Sequence, residues 1–204
     1  MFALVVDDFG IKSTTPAATA HHFQALCDKY KIATDPGGTK YLGFTLKWDY
    51  VLQKVWLLMP EYVRKALHRL QHEMPRRPQH APHRYNQPNY GQRVQFANPQ
   101  EDMPVTLLPE SAKKTIQKII GIFLYYAIAM DLTMLVALGT FASQQDKPTD
   151  ALWEDITLFL NYCATHPDAT LCYSKSDMVL HISSDGSYLS EKKSHSRVGG
   201  IFYL

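Results

Sequence analysis

The chain opens on two short apolar runs, residues 2–6 and 9–11, separated by Asp7 and Asp8. Two β-prone runs joined by a polar tip predict a tight hairpin. Both acids then sit at the tip, where Asp-Asp is also ordinary turn chemistry. Residues 14–30 predict a helix: Thr15 is placed to cap it, Pro16 suits the first helical position, and Ala20, Phe23, Ala25, Leu26 and Tyr30 supply an approximate apolar face. Asp35-Pro-Gly-Gly38 predicts a turn. Residues 40–47 alternate like a strand, and residues 51–59 pair with them through Asp49-Tyr50. Pro60 then opens a helix whose inward stripe is Val63, Ala66, Leu67, Leu70 and Met74, at spacings of three and four. Pro75 ends it.

Residues 75–109 carry seven of the twelve prolines and no clear period, which predicts a long irregular loop. Helical patterning returns at Ser111, a candidate cap, with Ile116, Ile119, Ile120, Phe123, Leu124 and Ala127 facing inward. Asp131 suits the cap of a second helix to about residue 143. Thr149 caps a third, with Asp150 at its positive end and Leu152, Ile156, Phe159 and Cys163 on its buried side. Strands follow at 170–174, 178–183 and 198–204, with a turn or strand end at Ser184-Asp-Gly-Ser187. The fold class expected is α+β.

A length of 204 residues bounds one large domain or two small ones, and 46% apolar with 20% charged residues is ordinary globular composition. The net charge of +2 identifies no partner. Its distribution says more, because residues 61–95 hold Arg64, Lys65, Arg69, Arg76, Arg77, Arg84 and Arg93 against only Glu61 and Glu73. That segment suits a polyanion, or is a solvated helix face and loop. Cys27, Cys163 and Cys172 are odd in number and widely spaced, which argues for a reducing, intracellular setting, and no charged-then-apolar leader indicates secretion. Residues 119–141 are about long enough to span a bilayer. Asp131 near the middle would cost about 2.5–3.5 kcal/mol there, so two buried helices joined at Asp131 are expected instead, and no membrane partner.

The order of these features resembles one family. Val5-Val6-Asp7-Asp8 looks like the Y-x-D-D palm hairpin of reverse transcriptases, with Val5 where the family usually has Tyr. Tyr41-Leu42-Gly43 resembles the strand pair that grips the primer end. Ile182-Ser-Ser-Asp-Gly-Ser-Tyr-Leu-Ser-Glu191 followed by Ser196-Arg-Val-Gly-Gly-Ile-Phe-Tyr-Leu204 resembles the opening hairpin of the ribonuclease H domain of long-terminal-repeat retrotransposons, copia type, with Gly186 where such chains commonly have Ala.

The resemblance implies a partial reverse-transcriptase palm at 1–60 carrying the metal hairpin and primer grip. It implies a basic helix, Pro-rich loop and helical thumb or connection at 61–147, then a connection helix and the start of a ribonuclease H-like domain at 148–204. It implies an RNA-directed DNA polymerase with ribonuclease H, working by two-metal phosphoryl transfer on an RNA/DNA primer–template, in the cytoplasm, nucleus or a retroelement particle. Two divalent cations about 3.5–4 Å apart serve such chemistry, and hard Mg²⁺ (or Mn²⁺) prefers carboxylate and phosphate oxygens. Asp7, Asp8 and Asp185 are then the catalytic and metal-ligating candidates. Tyr41, Leu42, Gly43, Arg64, Lys65 and Arg69 are the nucleic-acid-binding candidates. Lys40 is the candidate general acid for pyrophosphate, against a plain surface lysine. Another palm Asp, the fingers and the later ribonuclease H acids have no counterpart in these residues. Both metal sites are therefore expected to be complete only in the full-length protein, and this chain alone is expected to be inactive. The alternative is a non-catalytic nucleic-acid- or protein-binding domain whose acids are turn residues. A zinc site from His68, His72, His80 and His83 is a third reading, since H-x₃-H suits one helix face.

Overall fold

The structure, a computed structural model, describes residues 2–5, 8–84, 106–186 and 198–204. It is mixed α+β, with five α-helices and three small antiparallel sheets among the described residues. The chain forms two compact units, one of residues 1–62 with 168–174 and the other of residues 63–167 with 175–204.

In the first unit β1 (Phe2–Val5) pairs antiparallel with β2 (Asp8–Ile11), as the two apolar runs predict. Helix α1 (Pro16–Cys27) begins where expected. The Thr15 hydroxyl accepts from the Ala18 amide at 3.3 Å, satisfying one of the amides that a first turn leaves without an intrahelical partner. It ends before Tyr30, and its expected apolar face is not a core face, because no residue of α1 is buried. The strand expected over residues 40–47 is two strands. Here β3 (Lys40–Tyr41) turns at Leu42 and Gly43 into β4 (Phe44–Asp49), with Lys40 opposite Thr45 and Tyr41 opposite Phe44. Next, β5 (Lys54–Leu58) pairs with β4, after a longer connection than Asp49-Tyr50, closed by Gln53 at φ 53°. Finally β6 (Thr170–Ser174) pairs with β5, Leu57 opposite Leu171 and Trp56 opposite Cys172, completing a sheet in the order β3-β4-β5-β6. The Trp48 indole donates to the Gly38 carbonyl at 2.8 Å, and its ring lies nearly parallel to Tyr50.

The second unit holds the well-buried core. In α2 (Tyr62–Arg69), Val63, Ala66 and Leu67 are buried. That helix stops at Arg69, short of the expected residue 74. Gln71 takes φ 55°, a left-handed conformation that ends helices, and Met74 is exposed rather than inward. Pro109, not Ser111, is the N-cap of α3 (Glu110–Ala129), whose Ile116, Ile119, Ile120, Phe123, Tyr126 and Ala127 are buried; Leu124 points outward. The Asp131 carboxylate caps a 3-10 turn over Leu132–Met134, accepting from the Thr133 amide, and this runs into α4 (Leu135–Gln144). Thr149 caps α5 (Asp150–Thr165) through the Leu152 amide, with Leu152, Ile156, Phe159 and Cys163 inside as the period requires. Phe159 meets Phe123 and Phe141 edge-on at ring separations of 5.4 and 5.5 Å. No described helix is long and apolar enough to cross a membrane. A last hairpin, β7 (His181–Gly186) against β8 (Val198–Tyr203), is exposed along its length. Its first strand begins later than residue 178, because Met178 takes φ 63°.

Candidate active-site cleft

The first unit draws two separated motifs into one place. Asp8 begins β2, opposite Val5. Its Oδ2 accepts a hydrogen bond from the Leu42 amide at 3.0 Å, across 34 residues of sequence. Leu42 and Gly43 take φ of 52° and 79°, so a two-residue turn with both positions left-handed joins β3 to β4. Glycine adopts that conformation freely, whereas leucine pays about 1–2 kcal/mol for it. A carboxylate–amide bond, stronger than a neutral pair, offsets that cost at the residue that incurs it.

Around this bond lies a cleft of about 340 Å³, lined by Asp8, Lys40, Tyr41, Leu42, Gly43, Phe44, Thr45 and Pro60. The Tyr41 ring packs on the hairpin at Gly10, where an added Cβ would stand 3.3 Å from the ring. Its hydroxyl is buried and finds no partner among the described residues. A buried hydroxyl without a partner costs about 1–3 kcal/mol, so Tyr41→Phe is expected to raise stability by about 1 kcal/mol in urea unfolding. A loss of stability would show that the hydroxyl is satisfied.

The turn leading into β3 is fastened by a residue that the spacing did not single out. Asp35 Oδ2 accepts from the Thr39 amide at 2.6 Å, the Thr39 hydroxyl at 2.9 Å and the Lys40 amide at 2.8 Å. The Thr39 side chain first, then the Lys40 amide, hold the Asp35 carboxyl below the ordinary carboxylate range. Asp-Pro-Gly-Gly-Thr carries the signal, since an Asp side chain that bonds backbone a few residues on is standard turn chemistry. A lowered carboxyl contributes order that is complete above its unfolded pKa, about 4, and that is lost as pH falls through its folded pKa.

Lys40, Tyr41, Leu42 and Gly43 therefore share the cleft with Asp8, while Asp7 lies outside the described residues. Arg64, Lys65 and Arg69 are exposed on α2 in the second unit. Asp185 is exposed in β7, opposite Gly199, and its Oδ1 accepts from the Gly186 amide at 2.9 Å. Three of the four histidines that suggested zinc, His68 aside, take separate partners. His72 meets Asn161 at 2.9 Å, His80 meets His166 at 3.0 Å, and His83 meets the Arg84 carbonyl at 3.1 Å. Among the described residues no three His, Cys, Asp or Glu side chains group to hold a metal ion. Among the described residues Asp8 is the only carboxylate lining the cleft, and one of its oxygens is already engaged by Leu42. The described residues alone do not make a divalent-cation site.

No protein-family profile, no curated protein and no solved structure matches this chain. The functional reading rests on these residues and their geometry.

Proposed function

We propose that the chain is part of a copia-like retrotransposon reverse transcriptase–ribonuclease H, running from the end of a palm through a helical thumb or connection into the opening hairpin of ribonuclease H. One observation supports this most: the Asp8 carboxylate of the Val-Val-Asp-Asp hairpin bonds the Leu42 amide of the Tyr-Leu-Gly turn. In that reading a primer end lies along the cleft against Tyr41, Leu42 and Gly43, and Lys40 faces a leaving phosphate. Asp7 and Asp8 contribute carboxylates to a polymerase site that other parts of the full-length protein complete with Mg²⁺ or Mn²⁺. Arg64, Lys65 and Arg69 on α2 meet the phosphate backbone, and Asp185 is one ribonuclease H carboxylate. Because the described residues do not hold a cation by themselves, no catalytic step is assigned to them, and this chain alone is expected not to extend a primer.

Binding of an RNA/DNA primer–template by the purified chain tests the proposal. Loss of phosphate contacts to three basic side chains predicts that Arg64→Ala, Lys65→Ala and Arg69→Ala together flatten the salt dependence of log K by roughly 2–3. Salt-independent binding, or none at low salt, would sink the reading.

A second reading has its own support in the same bond. Asp8 fastens the Leu42 turn, which is a structural task that needs no metal and suits a non-catalytic nucleic-acid- or protein-binding domain. Asp8→Asn, made in the full-length protein that completes the site, separates the two, since the amide oxygen can still accept from Leu42. If Mg²⁺ strengthens primer–template binding in the parent and not in the variant, the carboxylate serves a cation. Equal responses to Mg²⁺ leave Asp8 as a turn partner only.

A further inference from the structure

Beyond α2, residues 72–84 form a strap across the outside of α5. The His72 ring meets Asn161 Oδ1 at 2.9 Å, and the Gln79 amide donates to the Thr165 hydroxyl at 3.0 Å. Arg84 pairs with Glu154 at 2.9 Å and Asp155 at 3.0 Å. Glu154, Asn161 and Thr165 stand seven and four residues apart, on the helical face opposite Phe159 and Cys163. Pro75, Gln79 and Pro82 of the strap are half-buried. One further anchor joins two ring nitrogens, His80 Nδ1 and His166 Nε2, 3.0 Å apart. His166 is the C-cap of α5, and its ring also lies 5.2 Å from that of Tyr162.

We propose that His80 and His166 form an acid-sensitive latch that holds the strap on α5. In this bond one nitrogen donates a proton and the facing nitrogen must be bare. A first added proton leaves that pattern intact, because a charged ring on one side still donates to a neutral ring on the other, more strongly than before. A second proton removes the last lone pair and sets two positive rings in contact, so attraction becomes repulsion. Imidazole is the side chain whose ordinary protonation falls between about pH 5 and 8, and two rings that share a bond titrate as a pair. The strap's other histidines lack this property. His72 and His83 meet oxygens, Asn161 Oδ1 and the Arg84 carbonyl, and a ring N–H donates to oxygen whether the ring is neutral or charged. The surroundings add no acid from α5 itself. Tyr162 is uncharged and its hydroxyl is engaged by Asp131, while Glu154 and Asp155 lie about 16–18 Å back along the helix, beyond the screening length of about 10 Å. From α3 the Tyr126 hydroxyl reaches the carbonyl of Pro167, next to His166. Asp168 is the nearest carboxylate in sequence to His166, and Arg77 and Arg84 are the nearest fixed charges to His80. Opening is therefore local, between anchors at His72 and Arg84 that stay fastened.

Amide hydrogen exchange of the full chain reads the latch at Gln79, whose N–H is held only while the strap lies on Thr165. Protection is measured at about pH 7.5 and about pH 5, on either side of the ordinary imidazole range, and is expressed against the unstructured rate at each pH. In the parent it should fall about tenfold at the lower pH, the equilibrium equivalent of one lost hydrogen bond, while the Phe159 amide inside α5 keeps its protection. His166→Gln supplies an amide that both donates and accepts. It can bond His80 in either charge state, so Gln79 should stay protected at both pH values. His166→Ala removes the partner and should leave Gln79 poorly protected at both, with an unchanged circular-dichroism spectrum. A parent with equal protection at the two pH values overturns the proposal. So does a loss that persists in His166→Gln or extends to Phe159, because the acid-sensitive group then lies elsewhere. Parent-like protection in His166→Ala at the higher pH overturns it as well, since the ring pair would not be holding the strap.

Discussion

Phe159→Ala is expected to lower the stability of the helical unit by about 3–5 kcal/mol, the range for removing a fully buried aromatic ring. Phe159 has no exposed surface, and its ring is the edge-on partner of both Phe123 and Phe141. Truncation removes two aromatic contacts, each worth about 0.5–1.5 kcal/mol beyond burial, and leaves a void among α3, α4 and α5 that rigid neighbours fill only in part. Domains of this kind have about 5–15 kcal/mol in total, so the loss is a large share. Phe23→Ala is the contrasting case. Phe23 also sits on an apolar helical face, but α1 buries none of its residues, and that change should cost under about 1 kcal/mol. Urea unfolding followed by circular dichroism measures both. A Phe159→Ala chain within 1 kcal/mol of the parent would show that the three rings do not form the core.

The contrast between these two phenylalanines shows what periodicity carries and what it lacks. Spacing places Phe23 and Phe159 equally well on an apolar face, yet only a neighbouring element can bury one. For α5 those neighbours are α3 and α4; for α1 no comparable partner exists among the described residues. The same limit accounts for Leu124, which the period turns inward and the structure turns out. Caps are different, because the donor and acceptor lie within three residues. Thr15, Asp131 and Thr149 cap where their side chains predict, and of the expected caps only Ser111 does not, because α3 starts one residue earlier at Glu110. The Leu42-Gly43 turn stood outside such local reasoning. Leucine is a poor residue for positive φ, and what holds it there is Asp8, 34 residues away. Pairing of β6 with β5 is likewise set by contact across more than a hundred residues. The candidate site shares this division: its residue types were readable from two short motifs, but their meeting in one cleft was not.

Alkaline pH is expected to destabilise the helical unit before it affects charge pairs on the surface. Cys163 is fully buried on α5, and burial, then the nearby Asp131 carboxylate, push its thiol well above the usual range. Tyr162, the preceding residue, is shifted the same way, mainly by burial; its hydroxyl donates to Asp131 Oδ2 at 3.0 Å. Both groups hold their protons more tightly folded than unfolded. Their contribution is therefore complete below the unfolded pKa values and is lost as pH rises toward the folded ones. For the thiol that loss begins near pH 8.5. Between the unfolded and the folded pKa, each proton released on unfolding steepens the decline by up to about 1.4 kcal/mol per pH unit. Cys163→Ala should cost some stability at pH 7 through lost packing, yet flatten the decline between pH 8.5 and 10.5. Cys27 and Cys172 are exposed, and the same substitution there should leave the decline intact. Unfolding free energies at three pH values decide the matter. An unchanged slope in Cys163→Ala would mean that this thiol ionises as readily in the folded chain as in the unfolded one, and would move the alkaline sensitivity to Tyr162.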